Sequence, residues 1–482
     1  MCALKRSSVD ELALEFADAR LGDERLTRRL QAIVTSLSRK PGVGFPMALG
    51  SEAACEGFYR FLRNDKVTSQ GILAPHFEAT IARCLDAGSV VIVHDTTQFQ
   101  FGGDGEREGL GTTGNVSQKG FFGHFALALD PAAANKPLGL LGLKTFSRTK
   151  KKYSRESRAA YLRNLRKDPT KESLRWGDLL EDIESSLPEE VRAIHVMDRE
   201  SDNYVLISRM MATDARFVIR VTAKRRLFPL GADEPVAGIY EEWDDLPDIL
   251  EREVPLSARK KSSPYYCAGR HPVRRERIAR LRVAAKRIRV KRPSNTGVRW
   301  PSALELNAVR VYEVDAPRDE EPVEWLVLTT EPILQKKDVA HIVDMYRARW
   351  VIEEYFKALK TGCAFERRQL ESYKTLKNAL AILAPIACRI LLLRSIERIP
   401  GSIKLEEAVT TTQVEVLRAF SSRPPPQPAT TESVLTAIAA LGGHLRNNGP
   451  PGWHVLWRGY QELMTLERAW IAARKRKRSD QS

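Results

Sequence analysis

The chain has 482 residues, with 77 Lys plus Arg against 61 Asp plus Glu and a formal net charge of +16. At roughly 150 residues per domain, this length predicts about three domains. A hydrophobic fraction of 43% and a charged fraction of 29% exclude a wholly disordered chain. The longest purely apolar run, Ala379 to Cys388, is far shorter than the ~20 residues of a membrane span. We therefore expect a cytosolic protein without a membrane segment or signal peptide.

The positive charge is concentrated in two segments. Residues 259–292 hold 14 Lys and Arg with one acid, and residues 148–175 hold 11 with three acids. Within the first, Arg277 to Val283 and Lys286 to Lys291 place basic residues at near-alternate positions. This spacing predicts a strand pair with a basic face that suits nucleic-acid phosphates; a merely solvated surface is the alternative. The role of the basic tail Arg474–Arg478 stays open.

The first 70 residues show helical patterns. Ser8 to Glu11 resembles a capping box, and a second helix from about Asp23 places apolar residues on one face and arginines outside it. A third helix is predicted from about Ser51 to Arg63. These helices fit a DNA-binding module, although they could equally be scaffolding.

From about residue 85 the pattern changes to strands. Strands are predicted at 89–95, 121–130, 137–146, 193–198 and 216–221, with helices at about 154–187 and 202–213. This order predicts an α/β fold of the ribonuclease-H type, followed by a proline-containing β-rich insertion at about 227–330 and helices from about 335 onward. Gly109 to Gly114 matches a dinucleotide-binding motif, but no strand directly precedes it and a strand pattern follows, so we predict a hairpin loop.

The six cysteines suggest no metal or disulfide framework. They lie at positions 2, 55, 84, 267, 363 and 388, and none forms a Cys-x-x-Cys pair. We expect buried free thiols.

Three carboxylates are candidates for phosphoryl-transfer chemistry. Asp95 and Asp198 each end an apolar strand pattern, where α/β proteins collect functional groups. On the helix at about 335–361, Tyr346, Arg349, Glu353 and Lys360 are spaced to share one face. Each aspartate alone could be a helix cap or turn residue, and the helix face could be a salt-bridge stripe. Together, however, the three carboxylates suit two Mg²⁺ or Mn²⁺ ions acting on a phosphodiester.

The spacing Tyr-x2-Arg-x3-Glu-x6-Lys, with His94-Asp95-Thr-Thr and Met197-Asp198-Arg-Glu before it, closely resembles the DDE cut-and-paste bacterial transposases of the insertion-sequence-four family. Further matching segments cover nearly the whole chain. They are 21–25, 56–64, 216–220, 324–332, 349–354 and 360–362.

This resemblance implies a ribonuclease-H-like core in which Asp95, Asp198 and Glu353 bind two metal ions. It implies three domains: an N-terminal helical DNA-binding domain at 1–70, a catalytic domain at 71–365 and a C-terminal helical dimerisation domain at 366–482. Its partners would be double-stranded DNA, both transposon ends and target, and a second copy of the chain in a paired-end complex.

The resemblance also assigns DNA contacts. Tyr346, Arg349 and Lys360 would bind phosphates at the transposon end, and Trp325 would stack on a base flipped out during hairpin formation. Arg220 resembles a further DNA contact. Trp325 could instead be a core residue. Two other functions stay open at this point: a catalytically silent DNA-binding regulator, and a standalone nuclease that needs no paired-end assembly.

Overall fold

A computed structural model describes most of the chain. The described residues are 8–102, 107–113, 115–148, 172–221, 225–228, 237–239, 243, 246–256, 258, 273–398, 409–445, 447, 451 and 453–479. Most of the basic segment 148–175 and the first part of the basic segment 259–292 lie outside this set, as do Cys2 and Cys267.

Five helices open the described chain. They are α1 (Ser8–Glu15), α2 (Glu24–Arg39), α3 (Phe45–Leu49), α4 (Glu52–Arg63) and α5 (Ser69–Ala87). Asp23 and Ser51 cap α2 and α4 by accepting hydrogen bonds from backbone N–H groups of the first turn. The second and third predicted helices are thus confirmed, whereas the short α3 and the long α5 were not predicted.

Within the described residues, one mixed sheet of 12 strands forms the centre of the protein. The strands are β1 (Ser89–Gln100), β2 (Gly111–Thr113), β3 (Asn115–Asp130), β4 (Lys136–Phe146), β5 (Arg192–Met197), β6 (Phe217–Arg220), β7 (Arg226–Phe228), β8 (Ala237–Gly238), β9 (Leu250–Leu256), β10 (Arg277–Lys291), β11 (Ala303–Val314) and β12 (Glu324–Thr329).

The strand order is β2-β3-β1-β5-β6-β12-β11-β10-β7-β8, with β4 beside β3 and β9 beside β10. Strands β1, β5 and β6 are parallel, and the other pairs are antiparallel. Two helices, α6 (Glu172–Glu184) and α7 (Tyr204–Ala212), precede β5 and β6. The predicted order of elements and the α/β class are confirmed. Residues 111–113 of the glycine motif form β2, which pairs antiparallel with β3 as in the predicted hairpin; Gly114 lies outside the described residues.

The described residues of 227–330 are β-rich, as predicted, and their strands extend the same sheet. Strand β12 pairs with β6 of the parallel core on one side and with β11 of the insertion on the other. Backbone hydrogen bonds therefore run without a break from β1 to β10.

The strand pair predicted in 277–291 is one continuous strand, β10. Its arginines lie beside carboxylates of β9, β11 and the following loops. The pairs are Arg277 with Glu313 and Glu320, Arg280 with Asp315 and Glu251, Arg282 with Asp248 and Glu251, and Arg287 with Glu305. Several of these ion pairs are on the exposed surface, where such pairs contribute little free energy. A DNA phosphate would compete with those carboxylates, and a phosphate-binding face on this strand stays a prediction.

Two further helices, α8 (Lys336–Ala348) and α9 (Trp350–Lys357), lead to a five-residue π-helical turn, Ala358–Gly362. The next helix, α10 (Tyr373–Arg398), joins the core shared by the N-terminal helices and the sheet. Within the described residues it alone is long and apolar enough to cross a membrane, but its apolar part is 83% buried inside the protein. We therefore identify α10 as a core helix.

Three C-terminal helices form a separate apolar cluster. They are α11 (Thr411–Phe420), α12 (Thr431–Leu441) and α13 (Trp453–Ser479). Gly459 of α13 lies so close to α12 that an added Cβ would be 1.7 Å from the Ile438 carbonyl oxygen. Leu456, Tyr460 and Leu463 are buried in this cluster. Much of the apolar surface predicted to pair two subunits thus packs within one chain.

The described cysteines agree with the prediction of free thiols. Cys84, Cys363 and Cys388 are buried, Cys55 is half-buried, and all four are free. Burial raises the pKa of Cys84 and Cys363 to about 12.

Candidate active site

Asp95 and Asp198 lie side by side at one edge of the parallel core. The last residue pair of the β1–β5 ladder is His94 with Met197, so each aspartate comes one residue later. Asp198 follows the end of β5, as predicted. The prediction that Asp95 ends its strand is wrong: β1 continues to Gln100, because its antiparallel partner β3 continues beyond the point where β5 stops.

Local hydrogen bonds fix both aspartates. Asp198 caps a short 3₁₀ turn, and its Oδ1 accepts a 2.7 Å hydrogen bond from the Glu200 N–H. Its carbonyl oxygen accepts a 2.6 Å bond from the Ser201 hydroxyl. Asp95 Oδ1 accepts from the Thr96 N–H at 2.7 Å. The second oxygen of Asp95 faces α8 and α9.

Arg349 joins Asp95 to Glu353. It stands at the junction between α8 and α9, and its Nη1 donates to Asp95 Oδ2 at 3.2 Å while its Nη2 donates to Glu353 Oε1 at 2.6 Å. The guanidinium is 10% exposed, so these charge-assisted bonds are shielded from water. The structure therefore brings Asp95, Arg349 and Glu353 into contact, with Asp198 close enough to Asp95 for its charge to act on it. The role of these residues as a catalytic set stays a prediction.

The environment of Asp95 favours its protonated form. Burial is the main cause, followed by the negative charge of Asp198, and the pKa of Asp95 rises to about 7. Arg349 and the Thr96 N–H oppose this shift only in part. Buried negative charge is thus crowded at this point, and a bound cation would relieve the crowding.

Lys360 lies on the π-helical turn, so the predicted regular spacing from Glu353 does not hold. The wider turn still directs the side chain towards β1, where its Nζ donates to the Gln98 carbonyl oxygen at 2.6 Å. Glu366 lies 3.8 Å away. Burial lowers the pKa of Lys360, a shift that an anionic phosphate nearby would oppose.

Trp325 and Tyr346 form an aromatic pair beside the carboxylates. Their ring centroids are 4.8 Å apart with an interplanar angle of 32°. Tyr346 is buried, and burial raises its pKa while Arg220 and Arg349 act in the opposite direction. Trp325 is half-buried and packs against the main core. Its contact with the core fits the interpretation of Trp325 as a core residue. Its accessible part fits the interpretation of Trp325 as a surface on which a base can stack.

The donor set fits a hard divalent cation by its chemistry. Carboxylate oxygens are the ligands that Mg²⁺ and Mn²⁺ prefer, and the crowding at Asp95 is the electrostatic condition that such an ion relieves. In the described part of the chain, no three His, Cys, Asp or Glu side chains converge closely enough to hold one ion. Between Asp95 and Glu353 the positive charge comes instead from Arg349.

Sequence reasoning missed a group of buried histidines beneath the aspartates. His94 and His195 lie on β1 and β5, and their rings are hydrogen-bonded at 2.8 Å. The available signal was position. His94 directly precedes Asp95, and His195 precedes Asp198 by three residues within the otherwise apolar run Ala193 to Met197.

Two family models match the chain. One, described as transposase DNA-binding, covers residues 11–67, the region of helices α1 to α4. The other, described as transposase DDE domain, covers residues 147–389, just over half of the chain. Asp198 and Glu353 fall inside this second match, and Asp95 precedes it. The match implies a ribonuclease-H-like core and divalent-metal chemistry. The chain therefore belongs to the DDE transposases and is a DNA transposase with a DNA-binding region at its N-terminus.

Proposed function

We propose that the protein moves DNA by cut-and-paste transposition, as in the insertion-sequence-four family and its transposon-five transposase, and that Asp95, Asp198 and Glu353 are its metal ligands. The main observation that supports this proposal is the pair of aspartates just beyond the β1–β5 ladder, with Arg349 linking Asp95 to Glu353. Mg²⁺ or Mn²⁺, two ions per site, would supply Lewis-acid stabilisation of phosphate oxygens.

Four phosphoryl transfers make up the proposed reaction. Water attacks the phosphorus at the transposon end, and the P–O3′ bond breaks to release a 3′-hydroxyl. That hydroxyl attacks the opposite strand and forms a hairpin. A second water opens the hairpin, and the freed 3′-hydroxyl attacks target DNA. Each step exchanges one P–O bond for another, so a single carboxylate site can serve all four.

The surrounding residues would hold the DNA. Arg349 contacts two of the carboxylates, and Lys360 contacts Gln98, three residues beyond Asp95 on the same strand. Both would bind phosphates of DNA that enters the site. Trp325 would stack on a base extruded during hairpin formation, with Tyr346 supporting its ring from behind. Arg220 lies beside the same pair, near the Tyr346 hydroxyl, and its guanidinium donates a long, 3.5 Å bond to the Glu324 carbonyl oxygen. A phosphate would be a stronger acceptor than either of these neutral groups.

The proposal extends to a homodimer that assembles two transposon ends. The C-terminal helices would supply the contact through surface that is not already buried in their own cluster. Binding of a single end, through the N-terminal helices, should weaken steeply with salt because it depends on phosphate contacts. Cleavage at a dilution where the protein is monomeric would favour a standalone nuclease.

The decisive test uses duplex DNA that carries the terminal inverted repeats flanking the gene. Asp95→Asn, Asp198→Asn and Glu353→Gln should each lower Mg²⁺-dependent cleavage at least ~1000-fold, since a ligand near the reacting phosphate is lost, and leave DNA binding within about twofold. Glu354→Gln is the matched control. Its carboxylate is on the same helix but pairs with Lys357 and Arg394, so cleavage should persist.

Cleavage by Asp95→Asn at the wild-type rate would disprove the assignment. Absence of cleavage by the wild type with either metal would instead favour the silent regulator.

A further inference from the structure

Three buried histidines lie on the face of the sheet opposite the Asp95 carboxylate. Successive residues of a strand point to opposite faces, so His94 points away from the neighbouring Asp95 side chain. His94, His195 and His124 are at most 1% exposed. Trp176 of α6 packs over them, with its ring centroid 4.2 Å from that of His124 and 6.4 Å from that of His94.

A hydrogen-bond chain crosses from α6 to β1 through two of these rings. Glu184 Oε1 lies 2.7 Å from His195 Nε2, and His195 Nδ1 lies 2.8 Å from His94 Nε2. The Glu184 carboxylate can only accept, so His195 Nε2 carries the proton and donates. A neutral His195 then accepts at Nδ1 from the His94 Nε2–H.

The opposite direction is less favourable. His94 Nδ1 has no hydrogen-bond partner among the described residues. If His195 donated to His94 Nε2, a neutral His94 would carry its proton at Nδ1. A buried N–H without an acceptor would result, which proteins avoid more strictly than an unused acceptor. Glu184 therefore sets the tautomers of both rings.

The position of this chain matters because the strand ladder stops there. Backbone hydrogen bonds between β1 and β5 end with the pair His94–Met197. Asp95 and Asp198 lie beyond that pair, so the ladder does not itself set the separation of their carboxylates. His94 belongs to that last pair, and His195 pairs with Ile92 two residues earlier. The bond between the two rings is therefore a diagonal side-chain tie across the last part of the ladder.

We propose that Glu184, His195 and His94 are positioning residues, which hold β1 and β5 at the separation that lets Asp95 and Asp198 share a divalent cation. This inference rests on the proposed function, since it assumes that the two aspartates bind metal. The competing interpretation is a buried polar network that stabilises the core and has no effect on the metal site.

The test measures Mn²⁺ binding by the full-length protein without DNA, by titration calorimetry, together with the melting temperature. His94→Leu and His195→Leu should each weaken Mn²⁺ binding about tenfold, the lower end of the range for groups that support metal ligands. His94→Gln retains an N–H donor near the position of Nε2 and should restore binding to within about threefold. The double variant should be no weaker than either single one, because both remove the same bond.

His76→Leu is the matched control. His76 is also buried, and its Nδ1 lies 2.7 Å from a carboxylate, Glu15, but its other nitrogen accepts from the Leu140 N–H on β4. It should lower the melting temperature without changing Mn²⁺ affinity. If His94→Leu behaves like this control, the positioning role is disproved.

Two further variants make the outcomes separable. Should the leucine variants fail to fold, Glu184→Ala decides, since its partly exposed side chain can be removed with little loss of packing. A Mn²⁺ affinity at least threefold weaker supports the inference, and an unchanged affinity overturns it. If instead Asp95→Asn leaves Mn²⁺ binding unchanged, the proposed function fails.

Discussion

Replacing Asp95 by asparagine should make the metal-free protein less sensitive to alkaline pH. The pKa of Asp95 rises from 3.8 to about 7 in the folded chain. At about 1.4 kcal/mol per pH unit, ionising this carboxyl costs about 4 kcal/mol more in the folded than in the unfolded protein. A raised carboxyl pKa means that stability is present below pH 3.8 and is lost as the pH rises towards 7.

The expected size follows from integrating between two pH values. From about pH 5 to about pH 8, ionisation of Asp95 should lower the free energy of unfolding by about 3 kcal/mol. The asparagine of the variant cannot ionise, so that loss should be missing from Asp95→Asn. Titrating groups that do not interact with Asp95 are common to both proteins and cancel in the comparison.

The assay is thermal unfolding of both proteins in EDTA at those two pH values. The melting temperature of Asp95→Asn minus that of the wild type should be larger at the higher pH than at the lower pH. This is expected even though the variant loses the charge that pairs with Arg349 at 3.2 Å. Identical pH responses of the two proteins would refute the argument that buried negative charge is crowded at this site.

Three further outcomes are expected. Trp325→Ala should leave the first nick within about twofold and slow hairpin formation about tenfold or more, as measured on end-labelled DNA, because stacking offsets base extrusion only in that step; an equal loss in both steps would favour a core role. Phe125→Ala should cost about 3–5 kcal/mol of stability, since this buried ring packs against Tyr355 and Phe356; a melting temperature equal to wild type would contradict it. In a Cys2→Ser, Cys267→Ser background, a thiol reagent should modify Cys55 first, and rapid labelling of the buried cysteines would contradict their burial.

Local sequence patterns predicted most helices and strands, but not which charged side chains form pairs across the sheet. Alternation in β10 correctly indicated a strand, and capping residues such as Asp23 and Ser51 correctly marked helix starts. Whether an arginine of β10 is free depends on which carboxylates lie beside it. Glu313 is far from Arg277 in sequence but bonded to it across the sheet, and no local pattern contains that information.

The candidate site was predictable where its parts lie close in sequence. The four-residue spacing of Arg349 and Glu353 gave their shared helix face, and the structure shows their contact. The same periodicity failed for Lys360, because the π-helical turn has more residues per turn than an α-helix and therefore rotates the chain less per residue. The tie between His94 and His195 depends on the register of two strands that are distant in sequence, which sequence patterns do not fix.

The continuity of the sheet limits how the enzyme can move. Strand β12 is bonded to β6 of the parallel core and to β11 of the insertion by backbone hydrogen bonds. A hinge between the insertion and the catalytic edge would have to break that ladder, which is far stiffer than a loop connection. The insertion should therefore move together with the proposed catalytic carboxylates as one rigid body. Bound DNA must then bend to fit a protein surface that does not change shape. Rearrangement of the protein on DNA binding is expected instead in elements that contact the sheet through side chains, such as the N-terminal helices.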